Sequence, residues 1–267
     1  MRILAAVRTR ADLARAAAAL AEPLGLSPYD VALRLGAELP RVLAMLPERA
    51  SDPVSAAPFR ETFREDPAVA LQRACFAAGV DTVVFDERDM VDDRKRFMAR
   101  KLELRDDALV IEGADRRALT VAWSSVHLVL RAMQRRLQPR HARLPAERGA
   151  ARAIFEMRVI PAREARSAPV PDLEAAMLVY ARGAPPVVLR EGVDFGFLGD
   201  AMRSTRFENL QTLRDALRER AIGAHFDDRL LRLGAREQAI GAGSRSQLDL
   251  MAHALDLASR AGLLQGG

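Results

Sequence analysis

Residues 131 to 152, RAMQRRLQPRHARLPAERGAAR, carry seven arginines and a histidine against a single acid, Glu147. Guanidinium groups at that density suit phosphate or carboxylate anions, which their planar donors grip in pairs. The candidate binding residues are therefore Arg131, Arg135, Arg136, Arg140, Arg143, Arg148 and Arg152. The same stretch also reads as a solvated connector, since it contains prolines, lacks any aromatic residue to stack a base, and has no helix-turn-helix or zinc-finger spacing beside it. A second cluster lies in AHFDDRLLRLG, where His225 stands two and three residues before Asp227 and Asp228. That spacing could supply metal ligands or a general base. The plainer reading is that one aspartate caps a turn and Arg229 answers its charge, because His127, His141 and His253 are scattered along the chain. The glycines at 241 and 243 precede a helical pattern and could expose N–H groups to an anion. They lack the preceding strand and the Lys-Ser/Thr ending of a phosphate loop, so Ser246 reads as a helix N-cap. The lone cysteine, Cys75, falls on the apolar side of ALQRACFAAGV and reads as a small buried hydrophobe. No catalytic residue, cofactor or metal is assigned.

Arginine supplies all but two of the 41 basic residues, the lysines being Lys95 and Lys101. Such a bias reflects coding composition as much as chemistry, and it weakens arguments from arginine count. The net charge of +5 is unevenly placed. Residues 1–88 hold 11 arginines against 12 acids, and residues 89–267 hold 30 basic against 24 acidic residues. The excess is mild beside the concentrated basic faces of dedicated nucleic-acid binders. No apolar run approaches the roughly 20 residues that span a bilayer. Charges also break every signal-peptide core in the first 20 residues, MRILAAVRTRADLARAAAAL, so a cytoplasmic protein without membrane partners is expected.

The elements that would carry these residues fall into two compact units joined to a tail. MRILAAV has the length of a strand, and Leu13, Ala17 and Leu20 recur at helical spacing before Pro23 and Gly25. Ser27 and Pro28 open a second helix with Val31 and Leu35 on one face. RVLAML predicts a strand, DPAVALQRACFAAG a helix capped by Asp66, and VDTVVFDE a strand, giving the order β-α-α-β-α-β. LGLSPYDVALRL followed by ALQRACFAAGVDTVVF resembles the carboxy-terminal domain of the ribosomal stalk protein and the similarly folded Clp protease adaptor. That resemblance, over residues 1–88, implies a small α/β sandwich and a habit of binding proteins. Ser27, Pro28 and Tyr29 stand where stalk proteins carry factor-binding lysines, so ribosome binding is not implied.

From Phe97 to Met133 apolar and polar residues alternate, with breaks at Asp106-Asp107 and at Gly113 to Asp115, which predicts four strands. AIFEMRVI, AAMLVYAR and PPVVLRE predict three more, and Phe207, Leu210, Leu213 and Leu217 mark an amphipathic helix. Seven strands closed by a helix, over residues 95–222, resemble the pleckstrin-homology-like superfold, which implies two packed sheets. Lipid-binding members use a basic first hairpin loop, and Asp106 and Asp107 have the wrong sign for that role. Residues 223–267 read as a linker and an amphipathic helix with Leu248, Met251, Leu255 and Leu257 available to cover this chain or a partner. The glycines before that helix suggest that the two units fold without it. The expected fold class is α+β, and the expected function is a non-enzymatic adaptor or scaffold with a protein partner, possibly bearing an acidic surface. The alternative is a nucleic-acid- or anion-binding accessory protein using residues 131–152.

Overall fold

The computed structural model describes residues 2–36, 40–46, 66–90, 95–135, 173–232 and 247–264. The first unit follows the expected order: strand β1 (Arg2–Thr9), helices α1 (Leu13–Leu24) and α2 (Pro28–Gly36), strand β2 (Arg41–Leu46), helix α3 (Pro67–Ala77) and strand β3 (Val80–Asp86). Its three strands form an antiparallel sheet ordered β2-β1-β3. Local chemistry sets the helix starts. The Asp12 carboxylate accepts the N–H of Arg15, and Asp66 accepts that of Ala68 while also pairing with Arg2 of β1 at 2.8 Å. Gly79, at φ +75°, closes the turn from α3 into β3, where a Cβ would lie 2.6 Å from that of Ala11. Only glycine fits there.

The second unit contains β4 (Phe97–Leu104), β5 (Ala108–Gly113), β6 (Ala118–Ala122), β7 (Val126–Arg135), β8 (Leu173–Ala181) and β9 (Val187–Arg190). Helix α4 (Arg206–Arg220) follows, then the three-residue strand β10 (His225–Asp227). The strand expected at 153–160 lies outside the described residues. All seven strands join one mixed sheet ordered β10-β7-β8-β9-β4-β5-β6. Strand β4 makes the corner. Its Phe97 and Met98 pair in parallel with Val187 and Val188 of β9, and from Ala99 onward it pairs antiparallel with β5. The two ends of the sheet thereby share one core, in which Leu109, Ile111 and Val121 meet Val129, Met177 and Leu189 beneath Leu210, Leu213 and Leu217 of α4. Trp123 is buried there and donates its indole N–H to the Arg105 carbonyl at 3.0 Å. Phe207, read as part of the buried stripe of α4, is instead half exposed.

Two expectations for the tail are corrected. Residues 225–227, placed in a linker, form β10, which pairs in parallel with Leu128 to Leu130 of β7. Three residues are too few to show an alternation. The last helix, α5 (Gln247–Arg260), is no detachable cover. It lies between the two sheets, where Leu248, Met251, Leu255 and Ala258 share a core with Ile3, Ala5 and Val7 of β1 and with Leu128, Leu130 and Leu178 of β7 and β8. Alternation along β1 sends Leu4 and Ala6 to the opposite face, against α1, α2 and α3. The layers run from the amino-terminal helices through the three-stranded sheet, α5 and the seven-stranded sheet to α4. Among the described residues no helix is long and apolar enough to cross a membrane.

Candidate functional site

The densest meeting of ionisable groups among those weighed in the sequence is the corner made by β10 and the 3-10 turn after it, Arg229–Arg232. Parallel pairing with β7 holds the Asp227 backbone, and its side chain is 3% exposed. Asp227 accepts the Arg229 backbone N–H at 2.8 Å, its Nε–H at 2.8 Å and its Nη2–H at 2.5 Å, with His225 Nε2 3.5 Å away. Burial alone would raise the pKa of this carboxyl. The hydrogen bonds from His225 and Arg229, with the Arg229 charge, outweigh burial and hold it well below the usual carboxylate range. Arg229 Nη1–H also donates to the Val7 carbonyl of β1 at 3.3 Å, tying the two sheets together.

Asp228 faces a different pair. Arg214 of α4 reaches its Oδ2 at 2.8 Å and Arg131 of β7 at 3.6 Å. Arg131, the first of the candidate binding arginines, is therefore not a surface contact. Its side chain is 11% exposed and its guanidinium lies 5.7 Å from the Phe207 ring centroid. Burial pulls its pKa down; Asp228 opposes that shift and Arg214 adds to it. Because β7 alternates, Leu130 and Ala132 face α5, and Arg131 between them must face α4. Arg135 ends β7. Arg136, Arg140, Arg143, Arg148 and Arg152 lie outside the described residues, as does the glycine-containing stretch 241–246.

The corner opens on a cleft of about 530 Å³ whose lining includes Val7, Arg8, His225, Phe226 and Leu264. Chemically it is an ion-pair lock. An aspartate held strongly ionised by hydrogen bonds from His225 and Arg229 and by the Arg229 charge is a poor proton acceptor. No group of three or more His, Cys, Asp or Glu residues that could hold a metal is found among the described residues. Burial pushes the Cys75 thiol up to about 12, which keeps it unreactive.

A second polar cluster was missed in the sequence. His127 Nε2 lies 2.7 Å from Asp256 Oδ1 of α5, and Arg260 holds the same carboxylate through Nε and Nη2. Ser259 stands beside them, but its hydroxyl donates to the His127 main-chain carbonyl at 3.0 Å and not to the ring, so no nucleophilic relay forms. Arg96 pairs with Asp249 on the same helix at 2.5 Å. The signal available was two acids, Asp249 and Asp256, set among the leucines, alanines and methionine of this helix, each of which demands a partner once buried. Compared with known protein families, with curated proteins and with solved structures, the chain matches none.

Proposed function

We propose that the protein is a non-enzymatic, cytoplasmic adaptor or scaffold. In this reading its amino-terminal unit is akin to the stalk-protein and Clp-adaptor fold and its second unit to the pleckstrin-homology-like fold. One observation carries it. On α3, Phe76 is 67% exposed beside a groove of about 410 Å³ whose lining includes Val69, Val80 and Leu263. A large aromatic held outward next to an apolar trough is the composition of a protein-binding surface and costs solubility otherwise. The ionisable corner supports the same reading, since its aspartates are held by arginines rather than poised for proton transfer.

A photoreactive residue at position 76 tests it, with position 222 as control because Ile222 is exposed on a different element. The expected result is a discrete protein adduct at 76, absent at 222, that persists in high salt. Adducts to RNA alone, weakening steeply with salt, would favour the nucleic-acid alternative. No adduct at 76 would remove the adaptor reading.

A further inference from the structure

The cleft of about 530 Å³ at the β10 corner is walled by β1, by β10 and by the residues that follow α5. Val7, Phe226, Leu263 and Leu264 make its apolar part. Where β1 pairs with β3 the register jumps: Ala6 faces Thr82 and Arg8 faces Asp81, so Val7 is an inserted residue. Strict alternation would turn Arg8, with Leu4 and Ala6, toward the amino-terminal helices. The bulge instead sets Arg8 beside Val7, and both line the cleft.

Arg8 is part-buried, and among the described residues its guanidinium has no ion-pair or hydrogen-bond partner. The acids around it are engaged elsewhere. Asp81, opposite Arg8 across the sheet, is held by Arg10 at 2.9 Å. Asp227 is held by Arg229, and Asp228 by Arg214 at 2.8 Å. Arg218 lies over the Phe226 ring. At this corner Arg8, Arg131, Arg214, Arg218 and Arg229 thus outnumber Asp215, Asp227 and Asp228. The surplus is positive, and of the two arginines that line the cleft Arg8 is the unengaged one.

These observations define the ligand chemistry. A guanidinium fork matches a carboxylate with two parallel hydrogen bonds. The volume lies within the range of about 300–1,000 Å³ usual for small-molecule sites, and the apolar part suits a hydrocarbon body. A dianion such as a phosphate ester is disfavoured, because Asp227 and Asp228 share the lining with the single free guanidinium. A cation finds both carboxylates already paired.

We infer that this cleft binds a small carboxylate with an apolar body, its carboxyl on Arg8 and its hydrocarbon against Val7, Leu263 and Leu264. The inference does not rest on the adaptor reading, and its failure leaves that reading where it stands.

The test is isothermal titration calorimetry of the full chain with octanoate, and with octanol, octylamine and octyl phosphate as comparisons. Saturable one-site binding of octanoate is expected, with each of the other three weaker. Arg8→Gln should weaken octanoate about tenfold and Arg8→Lys less, while Arg15→Gln, exposed on α1, should leave it unchanged. All three variants should melt like the wild type, since neither arginine side chain is paired among the described residues. A diazirine analogue of octanoate, irradiated with the unaltered chain, gives a second reading free of any variant and should mark residues 225–229 or 263–264. Absence of octanoate binding, equal or tighter binding of a comparison compound, full affinity in Arg8→Gln, an equal loss in Arg15→Gln, or labelling confined to other parts of the chain would overturn the inference.

Discussion

Helices α4 and α5 carry similar apolar stripes, yet one is an outer layer and the other is filling. In α4 only four of 15 residues are buried, Asn209, Leu210, Leu213 and Leu217, and its charged residues other than Arg214 and Arg220 are exposed. In α5 at least eight of 14 are buried, among them Ala252, Ala254 and Ala258, which let two sheets approach it from different sides. The two acids of α5 that turn inward are answered from β7 by His127, from just before β4 by Arg96 and from its own last turn by Arg260. A stripe shows that a helix has a buried side. The small residues and acids on its remaining faces show how many sides are buried.

The sharpest way to break this contrast is to delete α5. A chain ending at Gly241 should lose its cooperative thermal transition by circular dichroism, because the facing sides of both sheets lose their common filling. A retained cooperative melt would place α5 outside the core.

Next in size is the anchor between α5 and β7. Asp256→Ala should destabilise by about 3 kcal/mol in urea unfolding, since it leaves the buried His127 ring without its hydrogen-bond partner and Arg260 without its carboxylate. Arg218→Ala, on the outer face of α4 with its guanidinium over Phe226, should cost well under about 1 kcal/mol.

An effect smaller than that of Asp256→Ala concerns the β10 corner. The Asp227 carboxyl has a lowered folded-state pKa, so its contribution is fully present above the ordinary carboxyl value of about 4 and is lost as pH falls through the lowered one. Asp227→Asn should therefore cost about 2 kcal/mol at neutral pH. The gap between wild type and variant should close in strong acid. A gap that instead widened below about pH 4 would mean that the carboxyl is held in its neutral form.

Much of the fold was legible because its signals are local. Ser27 and Asp66 cap where their positions suggested, and Val31, Leu35, Leu210 and Leu213 bury the faces that their spacing marked. What was not legible depends on pairing across the chain. The three residues of β10 become a strand only because β7 offers an edge. Arg131 looked like part of a basic surface stretch because sequence neighbours set its apparent company, whereas strand alternation sets its real company, Asp228 and Phe207. The partnership of His127 with Asp256 joins residues 129 apart and leaves no local trace.

The position of α5 also fixes an order of events during synthesis. Both sheets leave the ribosome before the helix that fills the space between them, so the faces of β1 and β7 that meet α5 have no complete cover until it is made. The contacts that close the structure join distant residues: Arg96 to Asp249 across 153 positions and Arg229 to Val7 across 222. Contacts of that span form late and slowly, and the wait exposes apolar strands to association with other chains. Final assembly of this molecule thus waits on α5, and the two sheets gain their native compactness only when that helix docks.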